Sequence, residues 1–281
     1  FHHSASSTFK NTTDVFRLLY GSGSVRGSTG YDVLDMAGLK HHSQGFGVAT
    51  QIAPVFGNQP VDGVLGLGWP ALGAYNKVVP PMQNLLDRLA QPVFTVFMKR
   101  YRKSYFRNQN MSLHAVDGGV ITFGGYDKAN CHHEVHYVPL TSKIYWQFKM
   151  VAFSMGDFRT DITYQVISDT GTSWIGCPND VFNAIVKRTN VTYSQTLGLW
   201  LIDCEGTFPD MVFKIGRLEY SVPAFEYVLD LGLSPAGTCV LGAFPIQGTG
   251  FGPQFILGDV FIRQFCTVHD IGKARIGFAR S

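Results

Sequence analysis

The chain has 281 residues and a formal net charge of +3, with 15% charged, 14% aromatic and 45% hydrophobic residues and 31 glycines. This length allows one large or two medium domains, and the composition suits strands and turns better than helical bundles. Nucleic acid is not expected as a partner, because the densest basic run is the short segment 99–103, which we interpret as a solvated loop. No apolar run is long enough to span a membrane, no C-x-x-C spacing suggests zinc, and no metal or cofactor is expected.

Short strand-like segments follow one another along the chain, with glycine, aspartate and asparagine between them. This spacing predicts an all-β fold, built as a sandwich or as barrels. The segments are Val15–Tyr20, Val25–Val33, Gly45–Ile52, Val93–Phe97, Gly119–Phe123, Val135–Val138, Phe148–Phe153, Gln165–Ile167, Met211–Ile215 and Thr267–Phe278.

Two segments have the spacing of helices instead. Pro80–Arg88 repeats its apolar residues at helical intervals, and Pro178–Arg188 begins with Pro-Asn-Asp, a reasonable helix start. We interpret both helices as structural.

Segment 166–174, Val-Ile-Ser-Asp-Thr-Gly-Thr-Ser-Trp, is the strongest candidate for chemistry. The apolar β-branched residues Val166 and Ile167 predict a strand that leads into a turn at Asp169. Gly171 has no side chain that would block access to the carboxylate in this turn. The hydroxyls of Thr170 and Thr172 can hold that carboxylate in place. Such a group is suited to sharing one proton with a second carboxyl, so that one acts as base on a water and the other as acid. Asp-Thr-Gly alone is more often an ordinary turn, and the flanking strands favour the catalytic interpretation.

A faint internal repeat connects the two halves of the chain. Val64-Leu65-Gly66 and Ile256-Leu257-Gly258 each place two bulky aliphatic residues before a glycine. Either copy alone indicates a buried strand end, whereas the pair suggests a duplicated lobe. We therefore predict an N-terminal lobe of residues 1–133 and a C-terminal lobe of residues 134–281.

The chain opens at Phe1 with neither an initiator methionine nor a signal-peptide layout, and we expect its front segment to be missing. Five cysteines, together with candidate glycosylation sequons at Asn11, Asn110 and Asn190, favour a secreted or lysosomal protein.

Seven segments resemble the pepsin and cathepsin D-like aspartic endopeptidases, in an order and spacing that cover essentially the whole chain. They are Ser6–Phe9, Tyr20–Gly27, Val61–Gly68, Gly118–Gly125, Ile144–Phe148, Ser168–Ser173 and Ile256–Arg263. The resemblance implies an all-β, bilobal pepsin-like fold whose N-terminal lobe is incomplete here. It also implies a long cleft, peptide or protein substrates, and a monomer when the protein is complete.

The resemblance gives Asp169 the role of catalytic aspartate of the C-terminal lobe, with Thr172 bonded to its outer oxygen. The family carries an Asp-Thr-Gly in each lobe, whereas this sequence contains one. By the resemblance, the first copy would precede Phe1. The chain would then hold half of the dyad, and we expect it to be inactive alone.

A flap is also implied by the resemblance. Tyr20 would be the flap tyrosine, with Gly21, Ser22 and Gly23 at the tip, where a positive φ is wanted. Tyr145 would line the primed side of the cleft. Without the resemblance, Tyr20 before Gly-Ser-Gly is a plain hairpin.

Cys204 and Cys239 match the disulfide of the family's C-terminal lobe, which would contribute about 3–4 kcal/mol in the chain-entropy model. Cys131 and Cys266 lie on segments that the family places together, so a second disulfide between them is a hypothesis. Cys177 would then be free and buried as a small apolar residue.

Three functional hypotheses are open. In the first, the chain is a fragment or processed form of an endopeptidase. In the second, it is a non-catalytic truncated homologue that binds peptides or a partner through the residual cleft. A retroviral-type protease, completed by homodimerisation, is disfavoured because such protomers hold one lobe. An Asp-Thr-Gly encoded upstream of Phe1 would distinguish the first two.

Overall fold

A computed structural model describes residues 1–21, 23–57, 61–73, 78–99, 118–232, 237–246 and 252–281. Strands dominate, which confirms the all-β prediction. The strands are β1 (Lys10–Tyr20), β2 (Gly23–Met36), β3 (Leu39–Ile52), β4 (Val93–Met98), β5 (Gly119–Phe123), β6 (His136–Pro139), β7 (Ser142–Lys143), β8 (Trp146–Met155), β9 (Phe158–Thr160), β10 (Tyr164–Ser168), β11 (Ile175–Cys177), β12 (Thr192–Ser194), β13 (Leu199–Asp203), β14 (Met211–Ile215), β15 (Leu218–Val222), β16 (Val228–Leu229), β17 (Thr238–Leu241), β18 (Ala243–Pro245), β19 (Phe255–Leu257), β20 (Phe265–Asp270) and β21 (Arg275–Arg280). The helices are α1 (Pro54–Gly57), α2 (Pro81–Asn84), α3 (Asn179–Thr189), α4 (Ala224–Tyr227) and α5 (Asp259–Ile262), with 3-10 turns at His3–Ala5, Pro70–Leu72 and Leu86–Arg88.

The predicted helix at 178–188 is confirmed by α3, which buries Val181, Phe182 and Ile185 on one face. The helix predicted over 80–88 is wrong in extent. Leu85, with φ −107° and ψ 1°, leaves the helical region and separates α2 from a 3-10 turn. The single strand predicted over 267–278 is two strands, β20 and β21, which pair antiparallel across a turn that includes Ala274 at φ 46°.

The chain forms two compact units by its internal packing. Unit 1 consists of residues 1–92 and 143–145. Its sheet, in the described part of the chain, is the antiparallel meander β1-β2-β3. Gly27 is needed in this meander because a Cβ there would lie 2.0 Å from the Val48 carbonyl oxygen.

Unit 2 consists of residues 93–142 and 146–281 and contains the larger core. Its principal sheet has the order β15-β14-β8-β10-β19-β11-β18, with β9 also paired to β8. A second sheet has the order β12-β13-β17-β16, and a third has the order β5-β4-β20-β21-β6. The lobes of residues 1–133 and 134–281 remain a prediction.

Candidate active site

Asp169 follows β10 in the middle of the principal sheet. β10 runs parallel to β19 and antiparallel to β8, and β11 returns antiparallel to β19. Val166 and Ile167 are buried, and the Asp169 amide donates to the Leu257 carbonyl at 3.1 Å. The apolar run of β10 therefore fixes the backbone that presents the carboxylate.

Both oxygens of the Asp169 carboxylate are held from within the same turn. The Gly171 amide donates to Oδ1 at 2.9 Å, and the Thr172 hydroxyl donates to Oδ2 at 2.6 Å. A Cβ at position 171 would lie 3.2 Å from Oδ1, so a larger residue would crowd this oxygen. Asp169 is half-buried and Thr170 is exposed. Each carboxylate oxygen keeps lone-pair capacity for a water or a second acid.

The segment after β19 packs against the backbone of this turn. The Asp259 amide donates to the Thr172 carbonyl at 2.9 Å. A Cβ on Gly258 would lie 2.0 Å from that same carbonyl oxygen and 2.5 Å from the Trp174 carbonyl oxygen. Only glycine therefore lets the two backbones approach so closely.

Asp259 brings a second acidic side chain near Asp169, and sequence reasoning did not assign it a role. Its Oδ1 is buried and has no hydrogen-bond partner among the described residues. The pKa of Asp259 is raised to about 6, chiefly by burial; the Arg263 charge opposes this shift, and the Asp169 charge adds to it. The available signal was its place in the segment Ile256–Arg263, although sequence alone does not show burial.

The predicted flap residues lie on the β1–β2 hairpin of unit 1. Tyr20 ends β1, pairs with Gly23 and packs its ring against Phe56, with centroids 5.7 Å apart. The expected positive φ is wrong for Gly21, which does not adopt that region. Gly23 is required for another reason, since a Cβ there would lie 2.6 Å from that of Ala53. Ser22 lies outside the described residues.

Tyr145 lies in the turn between β7 and β8 and is 39% exposed. Its neighbours Lys143 and Ile144 belong with it to unit 1, where the Lys143 ammonium lies 5.5 Å from the Trp69 ring centroid. The turn therefore leaves the aromatic ring accessible to solvent.

Both disulfides are formed. Cys204 bonds to Cys239, and Cys131 bonds to Cys266. Cys177 is free and buried, and burial raises the pKa of its thiol, which makes it unreactive.

The sequon asparagines differ in their local structure. Asn11 is exposed on β1, and Asn190 is exposed at the end of α3 with φ 48° and ψ 41°. Asn110 lies outside the described residues. Within the described ranges, no helix is long and apolar enough to cross a membrane. In the same part of the chain, no group of three or more His, Cys, Asp or Glu side chains could hold a metal ion.

Comparison with known proteins identifies the family to which this chain belongs. A family model described as eukaryotic aspartyl protease matches residues 1–281. Aspartic protease 1 of Caenorhabditis elegans is 49% identical over 284 residues, which cover 99% of this chain and 69% of that protein. Human gastricsin is 32% identical over 289 residues, covering 99% of this chain and 70% of the relative. Vacuolar protease A of Aspergillus fumigatus is 32% identical over 290 residues, covering 99% and 67%.

The chain belongs to the eukaryotic aspartyl protease family and has the all-β pepsin-like fold. By family it is a peptide hydrolase, with peptides or proteins as substrates.

Proposed function

We propose that the protein is an aspartic endopeptidase in which Asp169 supplies one carboxyl of a two-aspartate dyad. The observation that carries this proposal is the separate anchoring of the two carboxylate oxygens, Oδ1 by the Gly171 amide and Oδ2 by the Thr172 hydroxyl. A carboxylate held in this way can accept a proton from water in a fixed direction. Thr170 completes the turn without contacting the carboxylate among the described interactions.

In the proposed mechanism, two carboxyls share one proton and bind a water between them. One carboxylate removes a proton from the water as it attacks the peptide carbonyl, while the other donates its proton to the developing oxyanion. The carboxyls exchange roles when the leaving amine is protonated. Asp169 can fill either role at a given step, so the dyad titrates as a pair.

Residues 1–281 contain one Asp-Thr-Gly, at Asp169, and no Asp-Ser-Gly. We therefore assign the second carboxyl to a residue outside this span and expect residues 1–281 alone to be inactive. A lone carboxyl cannot serve as acid and base together. The β1–β2 hairpin with Tyr20 and Gly21 would close over the substrate, and Tyr145 would contact its primed side.

The single Asp-Thr-Gly also supports a second candidate, a non-catalytic homologue that binds peptides or a partner through the residual cleft. The proposal further includes a monomeric protein of the secretory or lysosomal route. Two disulfides and the exposed sequons Asn11 and Asn190 support that route, as does a relative named as vacuolar.

The test compares residues 1–281 with the longer protein encoded by the same gene, each assayed at acid pH on a quenched peptide library. We expect only the longer protein to hydrolyse peptides, and its added sequence to include an Asp-Thr-Gly. A longer protein without that motif and without turnover would favour the binding homologue. Turnover by residues 1–281 that is lost in Asp169→Asn would place the second catalytic group within this span and contradict the proposed dyad.

A further inference from the structure

His269 is enclosed by two aromatic rings in the core of unit 2. It lies on β20 directly opposite Phe94 of β4, and its side chain is 2% exposed. The imidazole stacks on the Phe94 ring, with centroids 4.2 Å apart and planes 5° apart. Trp146, the first residue of β8, meets the imidazole edge-on at 4.7 Å and 78°. We name these three residues the His269 cluster.

The surroundings of the His269 cluster favour the uncharged imidazole. Its Nδ1 has no hydrogen-bond partner in the described part of the chain. Burial lowers the pKa of His269 to about 3, and this outweighs the opposing effect of backbone hydrogen bonds at Thr267 and Phe94. A buried imidazolium would lose its hydration without gaining an anion.

Strand pairing shows which charges could reach the imidazole. Val96 on β4, Thr267 on β20 and Ile276 on β21 share its sheet face and cannot titrate at physiological pH. The charged or titratable side chains on the surrounding elements are His136 and Arg280 on the same sheet face, Asp270 and Arg275 on the opposite face, Lys149 on β8, and Asp259 with Arg263 at α5. None of these side chains contributes to the pKa of His269.

We propose that the His269 cluster is an acid-sensitive element, in which proton uptake by the imidazole is coupled to opening of the sheet β5-β4-β20-β21-β6. The folded cluster accommodates only the neutral ring, whereas an opened sheet exposes the ring to water, where it can be protonated. This property concerns the tolerance of the fold to acid and does not depend on the dyad proposed above.

The direction of the effect follows from the two protonation states. The ordinary histidine value is 6.5, and the folded value is about 3. The opened state therefore binds one more proton between these limits, and stability present above pH 6.5 is lost as the pH falls toward 3. Each pH unit within this window raises the opening equilibrium constant about tenfold.

The experiment measures opening of this sheet in the 281-residue protein by hydrogen exchange of the β20 amides, corrected for the intrinsic pH dependence of exchange. Wild type is compared with His269→Phe, whose ring keeps the stacking on Phe94, and with His269→Gln as a second non-titrating variant. Between pH 6.5 and 4.5, the opening constant of wild type should rise roughly 50-fold more than that of either variant. His136→Phe, a histidine from the same sheet whose side chain is 44% exposed, is the matched control and should behave as wild type.

Tryptophan fluorescence during urea unfolding gives an independent readout, because Trp146 contacts the imidazole. The urea midpoint of wild type should fall with pH more steeply than that of His269→Phe. Equal pH dependence in wild type, His269→Phe and His269→Gln would overturn the proposal. Loss of the excess pH dependence in His136→Phe would do so as well, because it would assign the effect to another histidine.

Discussion

Segments Val64–Gly66 and Ile256–Gly258 share one sequence pattern but have opposite surroundings. β19 carries Ile256 and Leu257, is paired with β10 on one side and β11 on the other, and buries Leu257 completely. Val64 and Leu65 lie outside the described strands and are 79% and 49% exposed. The pattern alone therefore does not determine burial, because an apolar strand also needs neighbouring strands. The sequence contains one Asp-Thr-Gly, and β19 pairs with β10, the strand that precedes this motif.

The difference extends to the two units. Unit 2 contains both disulfides and a dense aromatic core, in which Phe261 packs against four other aromatic rings. Unit 1 has a cavity of about 490 Å3 lined mostly by apolar residues, which include Val64, Leu65 and Trp69, together with Asp32 and Gln44. Apolar surface of this kind favours association unless it is covered. We therefore expect the packing of unit 2 to dominate the stability of residues 1–281.

The largest contrast is expected between Phe261 and Val64. Phe261 is fully buried, so Phe261→Ala should cost about 3–5 kcal/mol of unfolding free energy through lost contacts and a cavity. Val64→Ala should change it by less than about 0.5 kcal/mol, because its side chain is mostly in water. Urea unfolding of the two variants measures both values. Comparable losses would show that Val64 is buried in solution.

The two glycines of the repeated pattern should also differ. Gly258→Ala places a methyl group against the Thr172 and Trp174 carbonyls, so it should cost about 1–3 kcal/mol and displace the turn that holds Asp169. Gly66→Ala meets no atom within 4 Å and is the matched control. In an active form of the protein, Gly258→Ala should lower kcat/KM by about 100-fold. Normal activity in Gly258→Ala would mean that the turn tolerates the shift.

A smaller effect is expected from Asp259. Its folded pKa of about 6 lies above the ordinary value of 3.8, so its contribution to stability is present below pH 3.8 and lost as the pH rises through 6. The change in unfolding free energy caused by Asp259→Asn should therefore be more favourable at pH 7 than at pH 4. We expect a difference of about 1 kcal/mol, because the partial exposure of the side chain reduces the effect. Thermal unfolding at the two pH values measures this change. An equal effect at both values would remove the ionisation of Asp259 as its cause.

Local sequence predicted much of the fold because alternation of apolar and polar residues is a local property. It identified α3, the strand before Asp169 and the strands of the β1–β2 hairpin. It failed where a short turn interrupts an apolar run, as between β20 and β21, and where Leu85 ends a helix early.

Within the candidate site, the residues of the Asp-Thr-Gly turn could be selected from sequence because they contact one another. Asp259 could not, and neither could His269 outside the site, since the properties of both come from burial against distant segments. The burial of Asp259 depends on the close approach of Gly258 to the 172–174 backbone, 84 or more residues earlier in the chain. Such approaches are not visible in local sequence patterns.

The role of Asp169 is tested most directly by comparing Asp169→Asn with Asp62→Asn, an exposed aspartate without a following Thr-Gly, in a form of the protein that hydrolyses peptides. The asparagine keeps the size of the side chain but cannot exchange a proton. We expect kcat/KM at acid pH to fall by about 10⁴-fold or more in Asp169→Asn, by analogy with losses of catalytic residues in other proteases, and to stay near wild type in Asp62→Asn. A folded Asp169→Asn protein that keeps most of its activity would contradict the catalytic role assigned to Asp169.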